Sequence, residues 1–326
     1  MAAFFKRKPA ESESFHLTLA PVAYGAGMSI VAPAASANLE VAQRGLERLR
    51  SLGYQPRYGK YAFQKGPLYF AGTTAQRLSD LHAAFADPQS SVVASLRGGY
   101  GSNYLLEGLD LDLIRSHPKP FFGYSDLTGL QLYLLDQIGL PAFHGPMVAA
   151  DFALEKGVHK PSFEAAIAGK SYTVGVAEGL RILKAGPNAQ IARGVLYGGC
   201  LSILVSLLGT PWEPQTEGKL LFLEDVGVKP FQVDRMLWQL RQAGKLEGIT
   251  GIVFGEMQDC LSRGAPADLL EEVIRGACEG LEIPIAIGLR SGHVSQHNVT
   301  LVLGLEAELN LAREPVLRLN LGAAAK

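Results

Sequence analysis

The strongest constraint on the fold is an alternation of short apolar strands with helices whose apolar residues recur every three or four positions. Strand patterns lie at 28–31 and 91–95, and helical patterns follow at 39–52 and 105–113. Strands that alternate with helices pair in parallel, and the helices then cover both faces of the sheet. Ligands bind such sheets at the carboxyl ends of the strands. The sequence therefore predicts an α/β protein whose functional site lies at those ends.

The length of the chain predicts two domains. With 326 residues and a 48% hydrophobic composition, the chain can bury two separate cores. The alternation becomes irregular over 151–188 and then returns with new strand patterns. We expect an N-terminal domain over 16–150, a connector over 151–188 and a C-terminal domain over 189–326.

Two local predictions concern the C-terminal half. The apolar stretch 195–208 is typical of a buried helix that opens with Gly198-Gly199. The β-branched runs 299–303 and 316–321 are expected to form paired strands.

The composition argues against several classes of partner. The net charge is −1, and no Lys/Arg block interleaves with aromatics, so nucleic acid is not the expected partner. The apolar run 195–210 is too short to span a bilayer, and 1–13 lack the apolar segment of a signal peptide, which predicts a disordered or leading tail. Three cysteines without a C-x-x-C pair fit a reducing compartment. We therefore expect a cytoplasmic protein with a small partner.

Ser125 lies at a turn between a strand pattern ending at Phe121-Phe122 and a helical pattern at 127–138. A serine on such a turn exposes its hydroxyl above the sheet, and the N–H of Asp126 opens a helix whose partial positive charge can stabilise an oxyanion. This is the geometry of a nucleophile elbow. A serine before an apolar helix is also ordinary N-cap chemistry, and this stretch taken alone favours capping over catalysis. The local pattern leaves both roles open.

A serine nucleophile needs a base, and the base needs a carboxylate that fixes its tautomer. His293 follows a strand pattern and the flexible segment 290–292, where a side chain can be directed into a cleft; a solvent-exposed loop histidine is the alternative. Glu224 and Asp225 both follow a strand pattern, and either can orient the base or be solvated. The order Ser125, Glu224, His293 matches that of α/β-hydrolases.

The turn Gly98-Gly99 also follows a strand pattern, and its conformational freedom can present N–H groups to an oxyanion. The same turn is compatible with a phosphate, although neither G-x-G-x-x-G nor G-K-[ST] occurs here. Arg97 can pair with a substrate carboxylate or form a surface ion pair.

The spacing His293-x-x-x-His297 does not predict a metal site. The zincin pattern requires Glu where this chain has Val294. If these residues form a strand, the two rings stand roughly 13 Å apart. We expect no metal and no other cofactor.

Eight blocks of residues follow one another along the chain: Ile30-Val31-Ala32-Pro33, Phe70-Ala71-Gly72-Thr73, Arg97-Gly98-Gly99-Tyr100-Gly101, Gly123-Tyr124-Ser125-Asp126-Leu127-Thr128, His144-Gly145-Pro146, Leu223-Glu224-Asp225-Val226-Gly227, Asp234-Arg235 and Gly292-His293. Together they resemble the LD-carboxypeptidase family, the S66 serine peptidases that include microcin-immunity hydrolases. The resemblance extends over nearly the whole chain from about Met28.

The resemblance implies a role for each site residue. Ser125 would be the nucleophile, His293 the general base and Glu224 its orienting carboxylate. The N–H of Asp126, with that of Gly98 or Gly99, would form the oxyanion hole. Arg97 and Tyr100 are the residues that we expect to contact substrate.

The resemblance also implies a fold and an activity. The fold is a Rossmann-like N-terminal domain with a parallel sheet and a smaller, β-rich α/β C-terminal domain. The activity is that of a serine carboxypeptidase that cleaves the L,D-peptide bond and releases the terminal D-alanine from murein tetrapeptides in peptidoglycan recycling. The resemblance to this family also suggests a homodimer.

Two departures from the family pattern lie near the expected site. Cys200 stands where the family often has Asn, and 294–298 replace a segment that often contains proline. They concern the substrate more than the chemistry. The alternatives are an immunity-type hydrolase of peptide-nucleotide conjugates, or a catalytically silent peptide-binding protein in which Ser125 is only a cap.

Overall fold

The computed structural model describes residues 17–186, 190–261 and 263–322, so the tail predicted at 1–13 lies outside the described residues. Within these residues the chain forms two β-sheets and eight α-helices. The strands are β1 (Gly27–Val31), β2 (Gln55–Tyr58), β3 (Val92–Ser95), β4 (Phe121–Gly123), β5 (Ala142–His144), β6 (Tyr172–Val174), β7 (Arg181–Lys184), β8 (Ile191–Cys200), β9 (Lys219–Glu224), β10 (Gly251–Gly255), β11 (Ile285–Leu289), β12 (Leu301–Leu303), β13 (Glu306–Asn310) and β14 (Val316–Leu319). The helices are α1 (Leu39–Ser51), α2 (Thr74–Ala86), α3 (Leu111–Ser116), α4 (Thr128–Ile138), α5 (Lys160–Ile167), α6 (Leu201–Ser206), α7 (Pro230–Gln242) and α8 (Leu269–Ala277).

The first sheet has the strand order β12-β5-β4-β3-β1-β2. Strands β1 to β5 pair in parallel, and β12 joins β5 antiparallel. The order 2-1-3-4-5 is that of a doubly wound α/β sheet, which confirms the predicted Rossmann-like N-terminal fold. In this topology the ligand crevice lies beyond the carboxyl ends of β1 and β3, where the winding reverses.

The second sheet has the order β6-β14-β13-β8-β9-β10-β11-β7. Its centre, β8 to β11, is parallel, and antiparallel strands flank it on both sides, which confirms a β-rich α/β fold for this half. The segment 151–188, which we expected to connect two domains, contains α5 and supplies both edge strands of this sheet.

Two local predictions in the C-terminal half are wrong. The stretch 195–208 is not one helix, because β8 continues to Cys200 and α6 covers only Leu201–Ser206. Since β8 lies between β9 and β13, it is an apolar interior strand, and a short apolar run does not distinguish such a strand from a buried helix. The runs near 301 and 316 do not pair with each other, because β12 joins β5 whereas β14 joins β13 and β6.

Helix α4 connects the two sheets physically. Leu130 and Leu134 pack into the core beside the first sheet, while Leu132 and Leu135 pack into the core beside the second. At its first residue, the Oγ1 of Thr128 accepts a hydrogen bond of 3.1 Å from the N–H of Cys200. The start of α4 is therefore held against the carboxyl end of β8.

No helix in the described ranges combines the length and the apolar character that crossing a bilayer requires.

Candidate active site

Ser125 occupies a strained turn directly after β4. Its φ of +64° lies in the left-handed region, which costs a residue with a side chain about 1 kcal/mol. A short turn of 3-10 helix over Ser125–Leu127 then leads into α4. No side chain in the described part of the chain caps either helix start, so the N-cap interpretation of Ser125 lacks its hydrogen bond. Strain of this kind is concentrated at functional sites.

Gly98 passes so close to Ser125 that no larger residue fits. A Cβ built on Gly98 would lie 2.9 Å from the Cβ and 3.1 Å from the Oγ of Ser125. The next residue, Gly99, has a φ of +110°, and its Cβ would lie 2.6 Å from the Cβ of Ala35. Within the described residues, the N–H groups of Gly98, Gly99 and Asp126 have no hydrogen-bond acceptor. Free main-chain donors are therefore present on both turns beside Ser125.

The side chain of Asp126 holds this turn to the loop that follows the glycines. It is buried, and its Oδ2 accepts a hydrogen bond of 2.8 Å from the N–H of Ser102. In return, the Oγ of Ser102 donates to the carbonyl of Asp126 at 2.6 Å. Burial raises the pKa of Asp126, although the hydrogen bonds from Ser102 oppose the shift.

Glu224 and His293 form a tight pair at the carboxyl ends of the second sheet. The Oε2 of Glu224 accepts hydrogen bonds from the main-chain N–H of His293 at 3.0 Å and from its ring Nδ1 at 2.9 Å. Burial opposes ionisation of Glu224, but the two histidines beside it outweigh burial and lower its pKa to about 2. Burial likewise opposes protonation of His293, but Glu224 raises its pKa above the usual value.

Glycines make room for the Glu224 carboxylate. A Cβ on Gly292 would lie 2.5 Å from the Cδ of Glu224, and one on Gly255 would lie 2.7 Å from its Cβ. The alternative carboxylate, Asp225, is directed elsewhere and accepts from the N–H of Ser202 at 2.8 Å. Of the two acids left open by the sequence, Glu224 is the one that contacts the histidine.

His293 contacts the turn of Ser125 through Tyr124. The two rings pack edge to face with centroids 5.1 Å apart, and Tyr124 immediately precedes Ser125. In the part of the chain that the structure describes, no hydrogen bond joins the Oγ of Ser125 to His293. Catalytic hydrogen bonds are often long before substrate binds and shorten in the bound complex.

Two further buried residues hold the loop of His293 in place, and the sequence did not single them out. The side chain of Asn298 donates to the Oδ1 of Asp151 at 3.0 Å and to the carbonyl of Gly292 at 3.1 Å, and it accepts from the N–H of Gly292 at 3.0 Å. Asp151 also accepts from the N–H of Met147 at 2.8 Å, and burial raises its pKa to about 6. The polar run 294–298 resembles any exposed loop, so only the folded chain reveals that Asn298 is buried.

His144 belongs to the block His144-Gly145-Pro146, and no role was predicted for it from the sequence. It is fully buried at the end of β5, with Nε2 3.7 Å from the Oε1 of Glu224 and Nδ1 3.2 Å from the Oγ of Ser291. A histidine that ends a parallel strand was the available signal, because the site was expected at such ends.

Arg97 and Tyr100 lie at the crevice that the topology of the first sheet predicts. They line a cleft of about 430 Å³ together with Ala35, Ser36, Tyr69 and Gly99. No group of three or more His, Cys, Asp or Glu residues in the described ranges is placed to hold a metal ion.

Two family models match most of the chain. The LD-carboxypeptidase N-terminal domain matches residues 28–145, and the LD-carboxypeptidase C-terminal domain matches residues 193–309. The chain is 36% identical over 306 residues to a probable murein peptide carboxypeptidase of Bacillus subtilis, covering 92% of this chain and 94% of that protein. It is 33% identical over 275 residues to the murein tetrapeptide carboxypeptidase of Pseudomonas aeruginosa, covering 83% and 89%.

Solved structures agree with this assignment. An MccF-like protein from Bacillus anthracis superposes with a TM-score of 0.83 at 26% identity, covering 93% of this chain and 99% of that one. The muramoyltetrapeptide carboxypeptidase from Oxalobacter formigenes superposes with a TM-score of 0.77 at 29% identity, covering 90% and 97%. The family models, the relatives and the two-sheet fold lead to one conclusion: the chain belongs to the LD-carboxypeptidase family of serine peptidases.

Proposed function

We propose that the chain is a murein peptide LD-carboxypeptidase that releases the terminal D-alanine from murein tetrapeptides. The observation that carries this proposal is the Glu224–His293 pair, whose imidazole packs against the residue that precedes a strained serine. The names of the two curated relatives support the substrate class. The same proposal includes a role in peptidoglycan recycling, action in the cytoplasm and a homodimeric assembly.

In the proposed reaction, Ser125 attacks the carbonyl carbon of the L,D-peptide bond while His293 takes the proton of its hydroxyl. Glu224 accepts from Nδ1, which leaves Nε2 as the basic nitrogen, and its charge stabilises the imidazolium that forms. His293 then returns the proton to the amine of the leaving D-alanine. A water molecule hydrolyses the acyl-enzyme by the same route in reverse. These steps use side chains and main-chain donors only.

The oxyanion of the tetrahedral intermediate would be stabilised by main-chain N–H groups. Asp126 supplies one such donor and Gly98 or Gly99 supplies another, and all three are free of other acceptors in the described residues. The Arg97 guanidinium and the Tyr100 ring in the adjacent cleft are proposed to bind the free carboxylate and the body of the peptide.

The test is the turnover of a murein tetrapeptide, followed by mass spectrometry of the released D-alanine. Ser125→Ala is expected to lose activity by at least a thousandfold, since the nucleophile is absent. Ser116→Ala, at the exposed end of α3, is the matched control and should retain full activity. Turnover by Ser125→Ala at the rate of the unmodified enzyme would remove the assignment.

An immunity-type hydrolase is the second candidate, because MccF-like structures share this fold. The same Ser125, His293 and Glu224 would then cleave a peptide-nucleotide conjugate. Comparing kcat/KM for a murein tetrapeptide with that for an aminoacyl sulfamoyl nucleoside separates the two substrates. Labelling of Ser125 by a fluorophosphonate separates both enzymes from a silent peptide-binding protein, which would not be labelled.

A further inference from the structure

The second contact of the Glu224 carboxylate is with a buried histidine that the proposed mechanism does not use. One oxygen of Glu224 is engaged by His293, whereas the other, Oε1, faces Nε2 of His144 at 3.7 Å. Both side chains have no exposed surface. Neither Oε1 nor Nε2 has a hydrogen-bond partner within the described residues. Two buried polar atoms thus face each other with no other group to satisfy them.

The hydrogen bonds on the other side of His144 fix where its first proton lies. The Oγ of Ser291 donates its single proton to the carbonyl of Val299 at 2.8 Å. At its 3.2 Å contact with Nδ1 of His144, the same Oγ must therefore accept. Nδ1 is accordingly protonated. In a neutral ring Nε2 would then direct a lone pair toward the Glu224 carboxylate, and two buried acceptors would repel each other.

We propose that His144 is a positioning residue that carries a second proton on Nε2 and faces Glu224 as an imidazolium. Glu224 then lies between two histidines, one protonated in the resting enzyme and one that gains its charge during the reaction. A buried carboxylate is tolerated when it is paired and hydrogen-bonded. His144 supplies that pairing in the resting enzyme, when His293 is neutral and ready to accept a proton.

The charge on His144 sets the basicity of His293. Without a second positive charge beside it, the Glu224 carboxylate would strongly stabilise the protonated form of His293. His293 would then be unavailable as a base at neutral pH. The His144 imidazolium balances part of that negative charge and keeps the neutral form of His293 accessible. The inference rests on the proposed role of His293 as the general base.

The other titratable groups around Glu224, His144 and His293 are the same in the wild-type enzyme and in its variants. Tyr124 packs against both histidines, and burial raises its pKa well above the usual value, as it does for Cys200 beside Glu224. Both therefore stay neutral. Asp151 and Asp225 act on His293 from the loops that surround it, and Phe222 faces the His144 ring without a charge.

The protonation state can be read directly from nitrogen NMR of the substrate-free enzyme labelled at its seven histidines. His144 is expected to show two ring nitrogens with the similar chemical shifts of an imidazolium at pH 7. The resonances are assigned by their loss in His144→Gln, or by their displacement in Ser291→Ala if the first variant does not fold. A widely separated pair, typical of a neutral ring, would overturn the proposal.

The pH profile of kcat/KM provides the functional test. His144→Gln keeps a donor near Oε1 without a charge, so the acid limb is expected to move upward by about one pH unit. His159→Gln is the matched control, because His159 has the same arrangement with a different carboxylate: its Nδ1 lies 3.0 Å from the Oγ of Ser162 and its Nε2 lies 3.6 Å from Glu178. The acid limb of His159→Gln should coincide with that of the wild type.

An acid limb in His144→Gln that coincides with that of the wild type would refute the charged state of His144. An equal displacement in His159→Gln would refute it as well, since the effect would then not be specific to the site. Failure of the proposed function has a different signature, namely full activity in Ser125→Ala.

Discussion

The Oε2 of Glu224 accepts two hydrogen bonds from one residue, His293, through both its main-chain N–H and its ring Nδ1. The carboxylate thereby fixes the position of the backbone and the rotation of the ring at the same time. Since Glu224 is fully buried, removal of its charge leaves two donors of His293 without their ionic acceptor.

Glu224→Gln should move the acid limb of kcat/KM to lower pH. The Glu224 charge raises the pKa of His293, so the neutral form of His293 becomes populated at lower pH once that charge is gone. The rate at the plateau should fall by about a hundredfold or more, because an amide does not enforce the correct tautomer. The pH profiles of both enzymes check this.

Asp225→Asn is the control for Glu224→Gln, since Asp225 is the neighbouring acid and bonds to Ser202 rather than to the histidine. Its acid limb should move less. A limb in Glu224→Gln that stays in place or moves upward would contradict the role of Glu224.

The pH dependence of the free energy of unfolding should reflect the Glu224–His293 pair. The pKa of Glu224 falls from 4.5 to about 2 on folding, so its contribution is present above pH 4.5 and is lost as the pH falls toward 2. His293 has a raised pKa and binds its proton in both states below pH 5, so it adds no slope there. Urea unfolding of wild type and Glu224→Gln at pH 6 and pH 3 measures the difference.

The wild type should exceed Glu224→Gln in unfolding free energy by more at pH 6 than at pH 3. A difference that stays constant between the two values would mean that the Glu224 carboxylate is not held ionised by the fold.

Ser125→Gly should be more stable than Ser125→Ala by about 1 kcal/mol, although both lack the proposed nucleophile. The reason is the φ of +64° at this position, which glycine adopts without a steric cost. Thermal unfolding of the two variants provides the measurement. At Ser116, the last residue of α3, the order should reverse because alanine is the better helix former. Equal stability of the two Ser125 variants would argue against the strained turn.

Gly98→Ala should reduce kcat by about a hundredfold or more, since its new methyl group would displace Ser125 and a proposed oxyanion donor. The built Cβ lies 2.9 Å from the Cβ of Ser125 and 3.3 Å from the carbonyl of Tyr124. Gly276→Ala serves as the control, because nothing lies within 4 Å of its Cβ and it sits in α8. That variant should keep full activity. Full activity in Gly98→Ala would show that the two turns do not act together.

Much of the first half could be predicted from sequence. Period-3.6 and strand patterns alternate clearly there, and Thr73 caps α2 through a reciprocal capping box with Gln76. The secondary structure of the second half was harder to predict. Over 195–208 an interior strand and a buried helix have the same apolar composition, and the edge strands β6 and β7 are too short and too polar to show a period.

The sequence by itself determined the order of the elements, the turns that end their strands and the residue types on those turns, because these depend on local periodicity and on glycine or serine at fixed positions. Only the tertiary structure decided which distant side chains meet. Glu224 rather than Asp225 contacts His293, and His144 and Asn298 become buried beside them. Such contacts join residues between 69 and 147 positions apart in the chain, and a polar residue has the same local pattern whether it ends up solvated or buried.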